Sequence, residues 1–340
     1  MKISEFDLIQ SIKGQLATAH PALLQGIGDD CAVVKKDSKN VFLISTDCLI
    51  ENVHFDLKHF SFIDLGKKAI AVNLSDIAAM GGKPLYAFIC LGIPPKINQT
   101  AISDFYAGVD HVSAEFGLSI AGGDMSRSPN YLFIGITVVG ETPRANVKLR
   151  SAAKDGDGIY VTGTIGTAAV GLNYLKRKRP AENQYIKAIK NPRPRIAVAS
   201  ALAGFAGVHA MIDVSDGLLQ DLHHVMKASN TQALVEVDKI PRESDFETAC
   251  KTLRLDPLET LLTGGEDYQL LFTMDDKTMD ALSDVLKLNR GFKITRIGEV
   301  REAAKQQLSL KLDPYPLIRV NDATGREIFV KKGGYDHFGT

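Results

Sequence analysis

The chain has 340 residues, enough for roughly two domains that each bury a core of their own. Lys plus Arg total 40 and Asp plus Glu total 40, so the formal net charge is zero. A protein that binds a nucleic-acid backbone normally carries a basic excess, so this balance argues against that class of partner. Hydrophobic residues at 45% and charged residues at 24% are ordinary for a globular protein and exclude a disordered chain.

The spacing of the cysteines and the length of the apolar runs indicate the cellular compartment in which the protein works. The four cysteines lie far apart without a C-x-x-C pair, which predicts reduced thiols rather than a disulfide framework or a zinc site. The first 14 residues are amphipathic and carry acids, unlike a signal peptide, and no apolar run approaches the roughly 18 residues that span a bilayer. We therefore expect a cytoplasmic protein with no membrane partner.

The first half alternates apolar patterns of helical and strand type. Ser4 precedes apolar residues at helical spacing, and the pair Gly81-Gly82 is a helix stop signal. In chain order the pattern predicts a helix at 4–17, strands at 31–34 and 41–45, a helix at 67–80, a strand at 85–93, a helix at 100–116 and a strand at 131–139.

A polar stretch, 141–158, with Pro143 and two Asp-Gly steps predicts a domain boundary. Beyond it we expect strands at 159–162, 210–214 and 270–274 and helices at 166–175, 196–203, 217–228 and 280–288. The regular βαβ spacing of a doubly wound sheet is absent, so the predicted class is α+β in two domains, 1–148 and 149–340. Common catalytic motifs also fail: the chain has no Walker A loop, no G-x-G-x-x-G and no G-x-S-x-G.

Short segments that place Asp beside Gly, Ser or Thr recur along the chain. They are GIGDDCAVV (26–34), ISTDCLIENVHF (44–55), VNLSDIAAMGG (72–82), IAGGDMSRS (120–128), MIDVSDGLLQD (211–221) and LLTGGEDY (261–268). Any one of them is most simply a turn or a helix cap. Together they predict a site for Mg²⁺ and phosphate, because carboxylate and hydroxyl oxygens suit Mg²⁺ and packed carboxylates repel unless a cation lies among them.

At these segments, and at the terminal GGYDHF, the sequence resembles the thiamine-monophosphate kinase family. That family belongs with aminoimidazole-ribotide synthetase, selenophosphate synthetase and the hydrogenase-maturation dehydratase. The resemblance implies an N-terminal sheet-plus-helices domain that pairs across a homodimer and a C-terminal α+β domain, as in aminoimidazole-ribotide synthetase. It also implies ATP-dependent phosphorylation of thiamine monophosphate to thiamine diphosphate with several Mg²⁺ ions, the last step in making that cofactor.

The resemblance also implies roles for individual residues; Asp29 receives none. The positions that match magnesium ligands are Asp30, Ser45, Thr46, Asp47, Asp76, Asp124, Asp213 and Asp216. The positions that match ATP contacts are Tyr106, Gly123, Asp124, Arg150 and Ser215. The positions that match substrate contacts are His54, Glu266 and Tyr335.

The implied acceptor is a phosphate monoester, which is largely dianionic at neutral pH because its second ionisation lies near pH 6. It therefore needs no general base, and we expect direct in-line transfer with no covalent enzyme intermediate. The cysteines and the C-terminus disfavour the selenophosphate and hydrogenase-maturation relatives, and the ENVHF and GGEDY segments fit the thiamine enzyme better than aminoimidazole-ribotide synthetase. A catalytically silent nucleotide-sensing module is the alternative from another class, and the intact set of aspartates argues against it.

Overall fold

Two six-stranded sheets, each with its own helices, account for most of the chain. The computed structural model describes residues 5–16, 20–177, 182–279, 281–282, 293–303, 314–330, 333–335 and 337. The predicted helix at 280–288 therefore lies outside the described residues except for 281–282. None of the helices within the described ranges is both long and apolar enough to cross a membrane.

The first sheet has the order β1-β2-β3-β6-β4-β5 and is antiparallel except for the parallel pair β4–β5. Its strands are β1 (Leu23–Gln25), β2 (Ala32–Lys35), β3 (Asn40–Ile50), β4 (Lys83–Ile93), β5 (Ser119–Arg127) and β6 (Phe133–Pro143). Alternate residues of β3 are buried, so Val41, Leu43 and Ser45 face inward while Thr46 faces outward. The first helix of the chain is α1 (Glu5–Gln15).

Helices α2 (Phe62–Ala79) and α3 (Gln99–Phe116) cover the inner face of this sheet. Ser61 begins α2 by accepting the backbone N–H of Asp64 at 3.1 Å. The two helices approach very closely, because a Cβ atom at Gly66 would overlap a backbone carbonyl of α3 and one at Gly108 would overlap a backbone carbonyl of α2. The glycines therefore set how near α3 lies to α2.

The second sheet has the order β12-β9-β11-β7-β10-β8 and is antiparallel except for β12–β9. Its strands are β7 (Gly158–Thr162), β8 (Val208–Asp213), β9 (Thr231–Glu236), β10 (Leu270–Met274), β11 (Ile294–Glu302) and β12 (Ile318–Asn321). Its helices are α4 (Thr167–Leu175), α5 (Gln184–Lys190), α6 (Ile196–Ala203), α7 (Leu218–Ser229), α8 (Phe246–Leu253) and α9 (Pro257–Thr263). Every residue of β7 and β10 is buried, so the centre of this sheet is covered on both faces.

The two sheet units are packed together through α2. Ala78, near the end of α2, lies in one apolar cluster with Leu202 of α6 and Met211 of β8. Lys148, in the segment between the sheets, donates to the carbonyl oxygens of Phe205 at 2.9 Å and Val208 at 2.7 Å. The predicted boundary between 148 and 149 falls in this linking segment and stays a prediction, because both sides of it contact the second sheet unit.

Candidate active site

Three carboxylates from three separate elements meet where the two sheet units touch. Asp30 lies in the loop before β2, Asp76 in the last turn of α2 and Asp213 at the end of β8. One oxygen of each lies within 4.8 Å of the others. The side chains of Asp30 and Asp213 are nearly inaccessible, at 1% and 2% exposed. Of the predicted magnesium ligands, these three form the cation-sized cluster.

Two serines orient the cluster. Ser45, on the inward face of β3, donates its hydroxyl to Asp76. Ser75 donates to Oδ2 of Asp213 at 2.5 Å, a bond that runs from α2 to the second sheet. Each serine hydroxyl donates to one oxygen of its aspartate and so fixes the rotamer of that carboxylate. The second oxygen of each aspartate stays available to a ligand.

The electrostatics of the cluster call for a cation. Burial first, and then neighbouring carboxylates, raise the pKa of Asp213 to about 7, that of Asp47 to about 6 and that of Asp76 well above its usual range. Asp30 has a buried oxygen, Oδ2, with no hydrogen-bond partner in the described part of the chain. An unpaired buried carboxylate oxygen among like charges is costly, and a hard divalent ion would satisfy it. The donor set therefore fits Mg²⁺.

Arg150 lies beside the cluster, as an ATP contact would need to. Its guanidinium pairs with Asp30, and its backbone N–H donates to Oδ1 of Asp29 at 3.2 Å. Burial, followed by the Asp30 charge, raises the pKa of Asp29 to about 7. Asp29, unassigned from the sequence, thus holds Arg150 in place.

The loop 214–217, between β8 and α7, carries Ser215 and Asp216. The backbone N–H groups of 215, 216 and 217 all donate to one oxygen of Asp221, at 3.0, 3.2 and 3.2 Å. Gly217 has a φ of +125°, which suits glycine and lets the loop turn into α7. Sequence reasoning missed Asp221. Its place in SDGLLQD, in the first turn of the helix, is nevertheless a signal, because a carboxylate there can accept N–H groups from the residues that precede the helix.

The predicted substrate contact His54 has a fixed tautomer. Its Nδ1 accepts the backbone N–H of Ile50 at 3.0 Å, so any ring proton of the neutral form lies on Nε2. Nε2 lies 3.4 Å from Nε2 of His337, whose Nδ1 lies 3.3 Å from the hydroxyl of Tyr335. The structure therefore brings His54 and Tyr335 together, with His337 between them. His337 stands in the GGYDHF segment and was not assigned from the sequence.

Glu266 is held by a cation that the sequence did not reveal. Lys68, on α2, is fully buried and pairs with Oε1 of Glu266 at 2.7 Å. The Lys68 ammonium also lies 5.2 Å from the centre of the Phe60 ring. Glu266 itself has a φ of +67°, a strained value for this residue. The neighbouring Asp267 has a different task, since it accepts the N–H groups that begin α4.

Asp124 and Gly123 lie apart from the carboxylate cluster. One row across the first sheet runs from Asp47 through Ile136 and Ile89 to Gly123. Three strand spacings put Gly123 and Asp124 about 14 Å from Asp47. Asp124 is exposed on the edge strand β5, so within one chain it belongs to a different part of the site from the cluster.

Thr46 and Tyr106 also lie away from the cluster. The Thr46 hydroxyl points to the outer face of the sheet, where it donates to the carbonyl of Ile136 at 3.2 Å. Its backbone remains beside Ser45 and Asp47. Tyr106 is partly buried on α3 and meets Phe105 edge to face, with ring centres 5.5 Å apart.

Two family models match consecutive parts of the chain. Residues 28–142 match the N-terminal domain of AIR synthase related protein, and residues 154–311 match its C-terminal domain. A curated thiamine-monophosphate kinase from Bacillus subtilis is 33% identical over 342 residues, covering 99% of this chain and all of the relative. The chain belongs to the thiamine-monophosphate kinase family.

Solved structures of the thiamine-monophosphate kinase family have the same fold. A complex described as AaThiL with AMPPCP and TMP is 31% identical, with a TM-score of 0.82, and covers 98% of this chain and 97% of its own. Thiamine monophosphate kinase from Aquifex aeolicus is 30% identical, with a TM-score of 0.76, and covers 96% and 99%. The predicted family and the predicted two-domain α+β fold are both confirmed; the roles of individual residues stay predictions.

Proposed function

We propose that the chain transfers the γ-phosphoryl group of ATP to the phosphate of thiamine monophosphate, giving thiamine diphosphate and ADP. The observation that carries the proposal is the cluster of Asp30, Asp76 and Asp213, with one oxygen of each within 4.8 Å of the others. Such a cluster fits a cation bound to phosphate, and the thiamine-monophosphate kinase family supplies the two phosphate compounds.

The chain's own groups bind and orient. Arg150, fixed by Asp29 and Asp30, offers a cation to the ATP phosphates, and we assign Ser215, on the loop 214–217 before α7, to the same nucleotide. Mg²⁺ held by the Asp30 cluster would neutralise the oxygens of both phosphates and so lower the repulsion that opposes transfer. We assign Asp47, Asp124, Asp216 and Thr46 to further Mg²⁺ ions.

The acceptor phosphate is itself the nucleophile. One of its oxygens forms the new bond to the γ-phosphorus as the bond to the β-phosphate oxygen of ATP breaks, and the pair of electrons leaves with ADP. His54, Glu266 and Tyr335 are proposed to hold the thiamine end of the acceptor, with His54 accepting from Ile50 and therefore able to donate through Nε2. In this proposal no side chain acts as a general base or accepts the phosphoryl group.

A coupled assay for ADP release tests the activity. Purified protein with ATP and Mg²⁺ should release ADP with thiamine monophosphate and fail to do so with thiamine or with the aminoimidazole precursor. Asp47→Asn and Asp124→Asn should abolish turnover and leave the fold intact. Release only with the purine precursor would contradict the assignment, and no release with any acceptor would favour the silent nucleotide-sensing module.

We further propose a homodimer that pairs the outer faces of the first sheet. Tyr86, Phe88 and Phe133 lie on that face and are 47%, 42% and 38% exposed. Exposed aromatic side chains that share one sheet face are typical of an interface. Light scattering should give twice the chain mass, and Phe88→Lys should reduce it to one chain; a monomeric wild type would contradict this proposal.

We place the reaction in the cytoplasm. Cys31, Cys48, Cys90 and Cys250 are all free thiols, as a reducing compartment would keep them. Fractionation of cells that express a tagged full chain would test this placement.

A further inference from the structure

Asp221 is a buried carboxylate to which the proposed transfer gives no task. It is 2% exposed and lies in the first turn of α7. Its Oδ2 atom receives three N–H groups, those of Ser215, Asp216 and Gly217, at 3.0 to 3.2 Å. Three N–H groups that converge on one buried acceptor would all lose their partner without it, so this one side chain fixes the backbone of three successive residues.

The loop that Asp221 holds is hydrogen-bonded to the backbone of Glu266 and Tyr335, two of the proposed thiamine contacts. The N–H groups of residues 215–217 donate to Asp221, and the carbonyl groups of residues 214–216 accept N–H groups from other segments. The carbonyl of Val214 accepts the N–H of Tyr268 at 2.8 Å, and that of Ser215 accepts the N–H of Glu266 at 2.7 Å. The carbonyl of Asp216 accepts the N–H of Tyr335 at 3.1 Å.

These hydrogen bonds connect Asp221, through the loop 214–217, to proposed contacts of both substrates. Ser215 and Asp216, proposed for ATP and for metal, are on the loop itself. Glu266 and Tyr335, proposed for the thiamine end, are attached to the loop through their backbone. Glu266 has a positive φ of +67° and Tyr335 is exposed, and the loop carbonyls that receive their N–H groups hold the backbone of both.

We propose that Asp221 is a positioning residue for both substrates: by fixing the loop 214–217, it sets the ATP side and the thiamine side of the site together. This inference rests on the proposed function. A residue with this role affects the Michaelis constants of the two substrates at once, whereas a residue that only supports the fold changes the amount of folded protein and leaves those constants alone.

Three substitutions test the acceptor. Asp221→Ala removes the acceptor, Asp221→Asn keeps one carbonyl oxygen where the N–H groups converge, and Asp221→Glu keeps the carboxyl group but moves it by one methylene. Asp157→Ala is the matched control, because Asp157 is also 2% exposed and accepts a backbone N–H, that of Lys154 at 2.9 Å, at the start of β7.

The readouts are KM for ATP, KM for thiamine monophosphate, kcat, and calorimetric binding of the non-hydrolysable analogue AMPPCP with Mg²⁺. Asp221→Ala should raise both KM values by about tenfold or more, because three N–H groups then lose the acceptor that holds the loop. Asp221→Asn should stay within about threefold of the wild type, since it keeps the acceptor. Asp157→Ala should lower the melting temperature with both KM values unchanged.

Unchanged KM values in folded Asp221→Ala, or a change for only one substrate, would overturn the proposal. An Asp221→Asn variant as impaired as Asp221→Ala would overturn the acceptor role. If Asp221→Ala fails to fold, Asp221→Glu decides, because a displaced acceptor should still raise both KM values. A wild type without turnover would count against the proposed function alone, since AMPPCP binding still reports whether Asp221 sets the ATP side.

Discussion

Asp213→Asn should stabilise the metal-free protein while destroying its function. Burial and neighbouring carboxylates raise the pKa of Asp213 from its usual 3.8 to about 7. At pH 8 the group is ionised in the folded and the unfolded protein, and the buried charge lowers the free energy of unfolding. About three pKa units at 1.36 kcal/mol each give a cost of about 4 kcal/mol. An asparagine amide removes the charge, fits the same space and can still accept the hydroxyl of Ser75.

The sign with pH follows from the direction of the shift. A carboxyl group with a raised folded pKa favours the fold while it is protonated, so the wild type loses stability as pH rises from about 4 to about 7. The gain from Asp213→Asn should therefore be largest at pH 8 and less than half as large at pH 5. For 340 residues an unfolding entropy near 2.1 cal/mol/K per residue converts each kcal/mol into about 1.5 °C, so the melting temperature should rise by about 6 °C at pH 8.

The assay is thermal unfolding in chelator at pH 8 and pH 5, repeated with Mg²⁺. The wild type should gain stability from Mg²⁺ and Asp213→Asn should gain much less, because a ligand that binds only the folded protein stabilises it in proportion to its affinity. Asp110→Asn, an exposed position on α3, controls for the loss of one negative charge. A variant that is less stable than the wild type at pH 8 in chelator, or equally stabilised at both pH values, would refute the reasoning.

Three further predictions concern packing, the buried ion pair and pH. Gly66→Ala should destabilise the chain severely, since its Cβ would overlap the backbone of α3, whereas Gly14→Ala on α1 has free space and should be neutral or stabilising in urea unfolding. Lys68→Met should cost about 3 kcal/mol by leaving Glu266 without its buried partner, and adding Glu266→Gln should recover part of it; no recovery would mean that the two charges are not coupled. Burial first, then His337, lowers the pKa of His54 from 6.5, so the stability that its neutral ring contributes is present above pH 6.5 and lost below it, and His54→Gln should flatten that acid limb of the unfolding profile.

The sequence predicted the helices and strands that bury one apolar face, because their hydrophobic residues recur with a regular period. The predicted helices at 67–80 and 100–116 correspond to α2 and α3, and the predicted strands at 31–34 and 85–93 to β2 and β4. In each case the apolar face is buried, so the period of the hydrophobic residues carries the information. The start of α2 was misplaced because Ser61 and Asp64 form a capping box ahead of the first residue predicted to be helical.

The strand β5 was missed for a physical reason. Every one of its residues is exposed, and it pairs only with β4 at the edge of the sheet. Its sequence, SIAGGDMSR, has two glycines and no alternation, which is typical of a turn. A strand without a buried face leaves no hydrophobic period to detect, although this one carries Gly123 and Asp124.

The site residues that stand in a recognisable local motif were found from the sequence, and those placed by contacts between distant segments were not. Asp30, Asp76 and Asp213 each stand in one of the Asp-rich segments found in the sequence, and the fold brings them together; their role as magnesium ligands stays a prediction. Lys68 could not be found in that way, because nothing in its local sequence distinguishes a buried lysine on α2 from an exposed one. Its partner, Glu266, is 198 residues away and only the fold brings them together.

The position of α2 connects cation binding to the packing of the two sheet units. Asp30 and Ser45 come from the first sheet unit and Asp213 from the second, while Asp76 and Ser75 come from α2 between them. The Ser75–Asp213 bond and the Lys68–Glu266 ion pair both run from α2 into the second unit. A cation that binds all three carboxylates therefore binds only the packed arrangement, so its binding free energy adds to the stability of the α2 contact as well as to that of each sheet. The zero net charge conceals this arrangement, because it counts the whole chain and not the charges that the fold brings together. Arg150 pairs with Asp30 of the cluster, but a hard divalent ion would offset the charge of all three carboxylates.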